Sequence, residues 1–244
     1  MMADNTTFEW LNCFSHKQVK ACVTYRYGGE SQSTYESFNL AAHVNDNRLT
    51  VMRNRKKLEN ITGMPNTPLW LNQTHSNNVI KAKDHAPEVS ADGILSQDEN
   101  TVLAILTADC LPILAYHPLR GSIGACHAGW RGLANGILPK LIRKMGEPLD
   151  QIEIWIGPGI GPNQFEVHTD VAKQLNQEVA QNLNNASKIN VDLKQIAQQQ
   201  LNQLGVKKIT KDHRCTVETD HFFSYRRSQP SQTGRFASCI WLER

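Results

Sequence analysis

Short apolar runs rich in Val, Ile and Trp recur along this chain, and in its first half they come in consecutive pairs with no helical pattern between the partners. They span Pro68 to Leu71, Val79 to Ala82, Val102 to Leu106, Ile113 to Tyr116, Ile123 to Cys126, Ile152 to Ile156 and Phe236 to Leu242. A doubly wound sheet alternates strand with helix, so this pairing argues against regular βαβ order and for an α+β fold of layered mixed β-sheets flanked by helices. No repeat, low-complexity segment or Pro-rich linker divides the chain, which reads as a single domain over residues 1–244.

Helical spacing appears at Leu133, Ile137, Leu138, Leu141, Ile142 and Met145, and stops at Gly146-Glu147-Pro148. Three further helices are expected: Leu49 to Ile61 after Asp46, Val171 to Leu183 behind Asp170 as cap, and Val191 to Leu204 closed by Gly205. The Gln- and Asn-rich outer faces of the last two read as solvated surface.

Composition narrows the partners. With 26 basic against 23 acidic residues the net charge is only +3, and the basic residues are scattered, so no nucleic-acid partner is expected. No apolar run is long enough to span a bilayer, and the segment Met1 to Trp10 is polar and acidic where a signal peptide is basic, then apolar. No membrane partner is expected, and the expected location is the cytoplasm, as a monomer or weak homo-oligomer. The six cysteines form no CxxC pair and read as reduced, mostly buried thiols.

Three segments carry chemistry: Gln73-Thr74-His75-Ser76, Thr107-Ala108-Asp109-Cys110-Leu111-Pro112 and Cys126-His127-Ala128-Gly129-Trp130-Arg131-Gly132. Each places a metal-capable or nucleophilic side chain beside a strand end. Strand alternation points Cys126 and His127 to opposite faces, and the small residues Ala128-Gly129 assign His127 to the site and Cys126 to the packed side. His75, Cys110 and His127 would give a metal three protein ligands and an open fourth position, the pattern of a catalytic zinc. The same residues also suit copper, or a Cys110 thiolate activated by a histidine, and spacing does not choose among them. Asp109 is placed to orient a ligand or water. Arg131 and Arg55 are candidate anion ligands, against caps or solvated-face residues as the plain alternative.

Gly157-Pro158-Gly159-Ile160-Gly161-Pro162 follows a strand and reads as a rigid turn, neither a Walker loop nor a dinucleotide fingerprint. Phe222 to Arg227 and Thr233-Gly234-Arg235 combine aromatic and cationic groups, suited either to stacking and anion binding or to an aromatic core with arginines at its rim.

In these strings the chain closely resembles the YfiH-like, or multicopper polyphenol oxidase (laccase-like), family. The likeness also takes in Phe38-Asn39-Leu40, His43-Val44, Asn54-Arg55 and Ala91-Asp92-Gly93, and so covers nearly the whole chain. It implies a single α+β domain with zinc, or alternatively copper, held by His75, Cys110 and His127. The activities it implies are phosphorolysis of adenosine, inosine and methylthioadenosine, and deamination of adenosine, with a purine nucleoside and phosphate as small-molecule partners. On this reading His75, Cys110, His127 and Asp109 are catalytic, Asp109 relaying protons for attack of an activated water at purine C6. Arg55, Arg131, Asn39 and Gln73 contact substrate or phosphate.

Other readings stand beside this one. The resemblance also brings a peptidoglycan-editing label with amidase-like hydrolysis. A copper-dependent polyphenol oxidase would need a trinuclear cluster fed by many histidines, typically in His-x-His pairs, whereas this chain has nine histidines and no such pair. A non-catalytic, metal-stabilised interaction protein would close the site with His43 or Cys126 as fourth ligand. The chain departs from one common form of the pattern at His168, where glycine is usual, a change expected at the pocket rim, and it lacks the extra cysteines that some relatives carry near the Gly-Pro turn.

Overall fold

The computed structural model describes residues 6–87, 89–175, 188–229 and 232–243. In chain order the first strands are β1 (Phe8–Trp10), β2 (Val19–Thr24), β3 (Leu69–Trp70), β4 (Val79–Lys81), β5 (Gly93–Ser96) and β6 (Leu103–Thr107). They continue with β7 (Leu111–His117), β8 (Ser122–Ala128), β9 (Glu153–Ile156), β10 (Glu166–His168), β11 (Lys188–Asn190), β12 (Lys208–Lys211) and β13 (Phe236–Leu242). The α-helices are α1 (Arg48–Thr62), α2 (Trp130–Ala134), α3 (Ile137–Met145), α4 (Thr169–Gln174), α5 (Leu193–Gln203) and α6 (Tyr225–Ser228).

Two mixed sheets carry the fold, a five-stranded one in the order β1-β2-β13-β6-β3 and a six-stranded one in the order β12-β9-β7-β8-β5-β4; β10 and β11 form a separate pair. Period-two alternation decides what each face covers. On β7, Leu111, Ile113 and Ala115 face α3 and α5, while Leu114 and Tyr116 face the other sheet. On β8, Cys126 and Ala128 join the helix-covered core, while Ile123 and Ala125 join the core between the sheets. A third core lies outside the five-stranded sheet, where Leu58 of α1 packs with Phe38, Leu40, Cys22, Ala104, Cys239 and Trp241. The result is a layered α+β domain, helix, sheet, sheet, helix.

The expected helix over Leu133 to Met145 is two helices. Asn135-Gly136 breaks it, with Gly136 at φ +79°, in the left-handed region where a side chain is strained. The apolar spacing continues across the break because both helices bury onto one sheet face, which hid it from periodicity. The helix expected from Leu49 after Asp46 starts at Arg48 and is capped by Asn47, whose side chain accepts from Leu49 N and Thr50 N. Asp170 lies in the first turn of α4 rather than at its cap, and the expected continuation over 176–183 falls outside the described residues.

Candidate functional site

The chain passes between the two sheets in two places that meet. β3 belongs to the five-stranded sheet and β4 to the six-stranded one, and His75 lies in the link between them. β6 and β7 are divided the same way, and Cys110 lies in their short turn. His127 stands at the end of β8, on the face opposite Cys126, as alternation requires. The ligand-capable atoms of the three residues lie within 4.8 Å of one another, the only such metal-capable group among the described residues. The His75 and His127 rings meet edge to face, with centroids 4.7 Å apart.

Asp92, fully buried at the head of β5, sits behind both histidines. Its Oδ1 accepts from His127 Nδ1 (2.8 Å) and His75 N (3.0 Å). Its Oδ2 accepts from Thr74 N (3.1 Å), Ser76 N (2.7 Å) and Ser76 Oγ (2.7 Å). Burial alone would raise this carboxyl, but the hydrogen bonds from His127 and Ser76 outweigh it and hold it down at about 2. Burial likewise works against the Cys110 thiolate, yet the imidazoles of His127 and His75 bring it down to about 6. The Cys110 thiolate and Asp92 in turn overcome burial of the His127 ring and lift it to about 9. Cys126, buried on the opposite face, is pushed up by desolvation and then by Asp92, so it stays an inert thiol.

The residues fit a metal. With His127 Nδ1 donating to Asp92, Nε2 is the ring nitrogen left to ligate once a metal displaces the proton it holds below about 9, which is how ligating histidines are oriented. Gly129 leaves the space that Cys110 and His75 fill: a Cβ there would lie 2.7 Å from Cys110 Sγ and 3.4 Å from His75 Cδ2. Two imidazoles and a thiolate match a three-ligand zinc site and equally a trigonal copper site.

The triad lies in the wall of a cavity of about 350 Å³, also lined by His43, Gln73, Asp109, Trp130, Arg131, Ile160, Phe165, Tyr225, Arg226 and Arg235 among others. That is the lower end of the range of small-molecule pockets, roughly 300–1,000 Å³. Asp109, at φ +91°, accepts from Thr216 Oγ1 (2.6 Å) and Arg226 N (2.7 Å). Gln73 spends both ends of its amide on the backbone of Leu106. The exposed guanidinium of Arg131 stacks on Trp130.

Arg55 and Asn39 do not line the cavity. Arg55 donates to Leu40 O (2.8 Å) and lies over Trp70, and burial lowers it to about 10. Asn39, fully buried, bonds Ala41, Asp46 and the Arg235 backbone N–H. Of the Gly-Pro turn, Ile160 reaches the cavity; His168, exposed on β10, does not.

Sequence reasoning gave Asp92 no role. Its carboxylate is 17 residues from His75 and 35 from His127 in the chain, so only the fold brings it to them. The available signal was a lone acid between Ala91 and Gly93 at the start of an apolar run.

Comparison with known proteins decides the family. The profile described as multi-copper polyphenol oxidoreductase laccase matches residues 20–243. The chain belongs to this laccase family. Among its relatives, a Haemophilus influenzae protein named purine nucleoside phosphorylase is 40% identical over 235 residues, covering 93% of this chain and 96% of the relative. Escherichia coli purine nucleoside phosphorylase YfiH is 40% identical over 233 residues, covering 93% and 95%. Of solved structures, Neisseria meningitidis protein NMB0706 superposes with a TM-score of 0.89 at 36% identity, covering 98% of this chain and all of that one (100%). The layered fold is therefore shared with NMB0706 over 98% of this chain.

Proposed function

We propose that the protein is a zinc-dependent purine nucleoside phosphorylase, converting adenosine, inosine and methylthioadenosine with phosphate to the free base and the ribose 1-phosphate, or its methylthio counterpart. Adenosine deamination is a second activity of the same cavity. The observation that carries the reading is the His75/Cys110/His127 cluster in a small-ligand cavity. Relatives at 40% identity along nearly the whole chain bear the phosphorylase name.

Phosphorolysis forms a bond from a phosphate oxygen to ribose C1′ and breaks the C1′–N9 bond, the electron pair leaving with the base. It needs a cation field for phosphate and a dry, aromatic slot for the purine. Trp130, Phe165 and Tyr225 supply ring surface, and Arg131, Arg226 and Arg235 bring guanidinium groups to the walls. The same positive field acts on His43: burial first, then Arg235 and Arg55, hold its imidazole below the usual value, so it meets substrate as a neutral hydrogen-bonding group. In this account Arg55 acts through its field rather than by contact. Gln73 and Asn39 act by holding the His75 segment on β6 and the backbone of Arg235. Zinc held by His75, Cys110 and His127 would supply Lewis acidity to the reaction. With both carboxylate oxygens already taking donors, Asp109 is better suited to holding Thr216 and Arg226 in place than to relaying protons.

The test is to incubate metal-analysed protein with adenosine, with and without phosphate, and separate the products. Adenine released only with phosphate, with inosine as a slower product, is expected; no product from any nucleoside overturns the reading. Activity that survives chelation with a covalent adduct at Cys110 would favour the cysteine hydrolase instead. Visible thiolate-to-copper absorption in the active protein would replace zinc with copper.

A further inference from the structure

We infer that Asp92 is the positioning residue of the His/Cys/His site, one carboxylate that fixes both the ring of His127 and the backbone of the His75 segment and thereby sets the affinity for metal. The inference rests on the metal reading proposed above. Asp92 grips His127 twice: its carbonyl oxygen accepts from the His127 backbone N–H (2.7 Å), and its Oδ1 accepts from the ring Nδ1 (2.8 Å). A ring proton is thereby held on Nδ1, and Nε2 is the nitrogen that gives up its proton to meet a cation. On the other side the consecutive N–H groups of Thr74, His75 and Ser76 converge on the same carboxylate. Such a run of amides makes an anion-binding concavity. Here it holds His75 at φ +60°, a left-handed conformation uncommon for a side-chain-bearing residue.

The chemistry of the contacts requires an anion. All five hydrogen bonds recorded to the side chain are received by it: from three backbone N–H groups, the Ser76 hydroxyl and the His127 ring. An Asn at this position presents one acceptor and one donor. With its oxygen at the Oδ2 place it satisfies Thr74 and Ser76, but its NH₂ then faces His127 Nδ1 and drives the ring proton onto Nε2. With its oxygen at the Oδ1 place the ring is kept, but two backbone donors meet the NH₂. Either arrangement loses one of the two histidines as an aligned ligand. Ser76→Ala, by contrast, removes one hydroxyl bond and leaves the acceptor to the ring intact.

The experiment is zinc affinity by competition with a chromophoric chelator, measured on the whole chain with no substrate present. Asp92→Asn is expected to weaken zinc by about tenfold or more, the usual cost of losing an outer partner of a ligating histidine. Ser76→Ala is expected to stay within about twofold of the wild type. An Asp92→Asn affinity within twofold of the wild type overturns the inference. So does a Ser76→Ala loss as large as that of Asp92→Asn, since ordering of the loop would then account for everything. Should the Asn variant fail to fold, the wild type carries a second readout, its nitrogen spectrum when zinc-loaded. The His127 proton is expected on Nδ1, exchanging slowly, and a proton on Nε2 overturns the assignment. A wild-type chain that binds no zinc removes the metal reading and this inference together, whereas zinc binding without nucleoside turnover removes only the proposed reaction.

Discussion

The fold makes Cys110 a reactive thiol where it makes other cysteines inert. Its thiol is driven to about 6 by two imidazoles against the cost of burial, while Cys13 is pushed up to about 12 by burial. The reactive form is the thiolate, present above the pKa, so metal-free protein should alkylate with iodoacetamide at Cys110 first, the rate rising through about pH 6. Mass mapping checks the site, and zinc should protect it; labelling that begins only above pH 8 would contradict the coupling to the histidines. Gly129→Ala is the steric counterpart. Its backbone suits alanine, at φ −73°, but the added methyl would lie 2.7 Å from Cys110 Sγ. The variant should fold normally and bind zinc about tenfold more weakly, a displacement of a ligand rather than the loss of one. The meeting of His75, Cys110 and His127 was legible in the sequence because each stands in a short string of small or turn residues. The second partner of His127 was not, because a carboxylate 35 residues upstream gains its meaning only when β5 pairs with β8.

At the scale of elements, capping and breaks decide where helices stand relative to the site. Asn47→Ala removes the acceptor for Leu49 N and Thr50 N and should cost about 1 kcal/mol of stability in urea unfolding while leaving turnover unchanged. Gly136→Ala has open space around it but a left-handed backbone, so about 1 kcal/mol of strain is expected from φ alone, read as a lower unfolding midpoint. Because α2 leads out of the His127 strand into Gly136, an intact Gly136→Ala site would show that the break serves folding rather than chemistry. The strongly apolar strands β6, β7, β8, β9 and β13 were readable from their runs. β2 was not: its sequence Val-Lys-Ala-Cys-Val-Thr mixes small and polar residues, and its place beside β13 comes from cross-strand pairing rather than intrinsic hydrophobicity. β5, only Gly93 to Ser96, is too short to show a period, yet it delivers Asp92.

For the molecule as a whole, the cores on both faces of the sheets and between them are built from side chains that do not depend on a metal. His75→Ala is therefore expected to abolish turnover while the melting temperature changes by only a few degrees, measured by calorimetry; collapse of cooperative unfolding would instead favour a metal-stabilised interaction protein. The mixed, layered architecture was legible because paired strand runs leave no room for a regular crossover pattern. The meeting of the two inter-sheet passages was not, since which strand joins which sheet is settled by long-range pairing. No helix among the described residues is long and apolar enough to cross a membrane. The central claim joins one metal site to one reaction, and the most direct measurement is phosphate-dependent adenine release from adenosine during stepwise zinc reconstitution of chelated protein. The account predicts a rate that rises linearly and levels at one zinc per chain; full turnover in metal-free protein would contradict it.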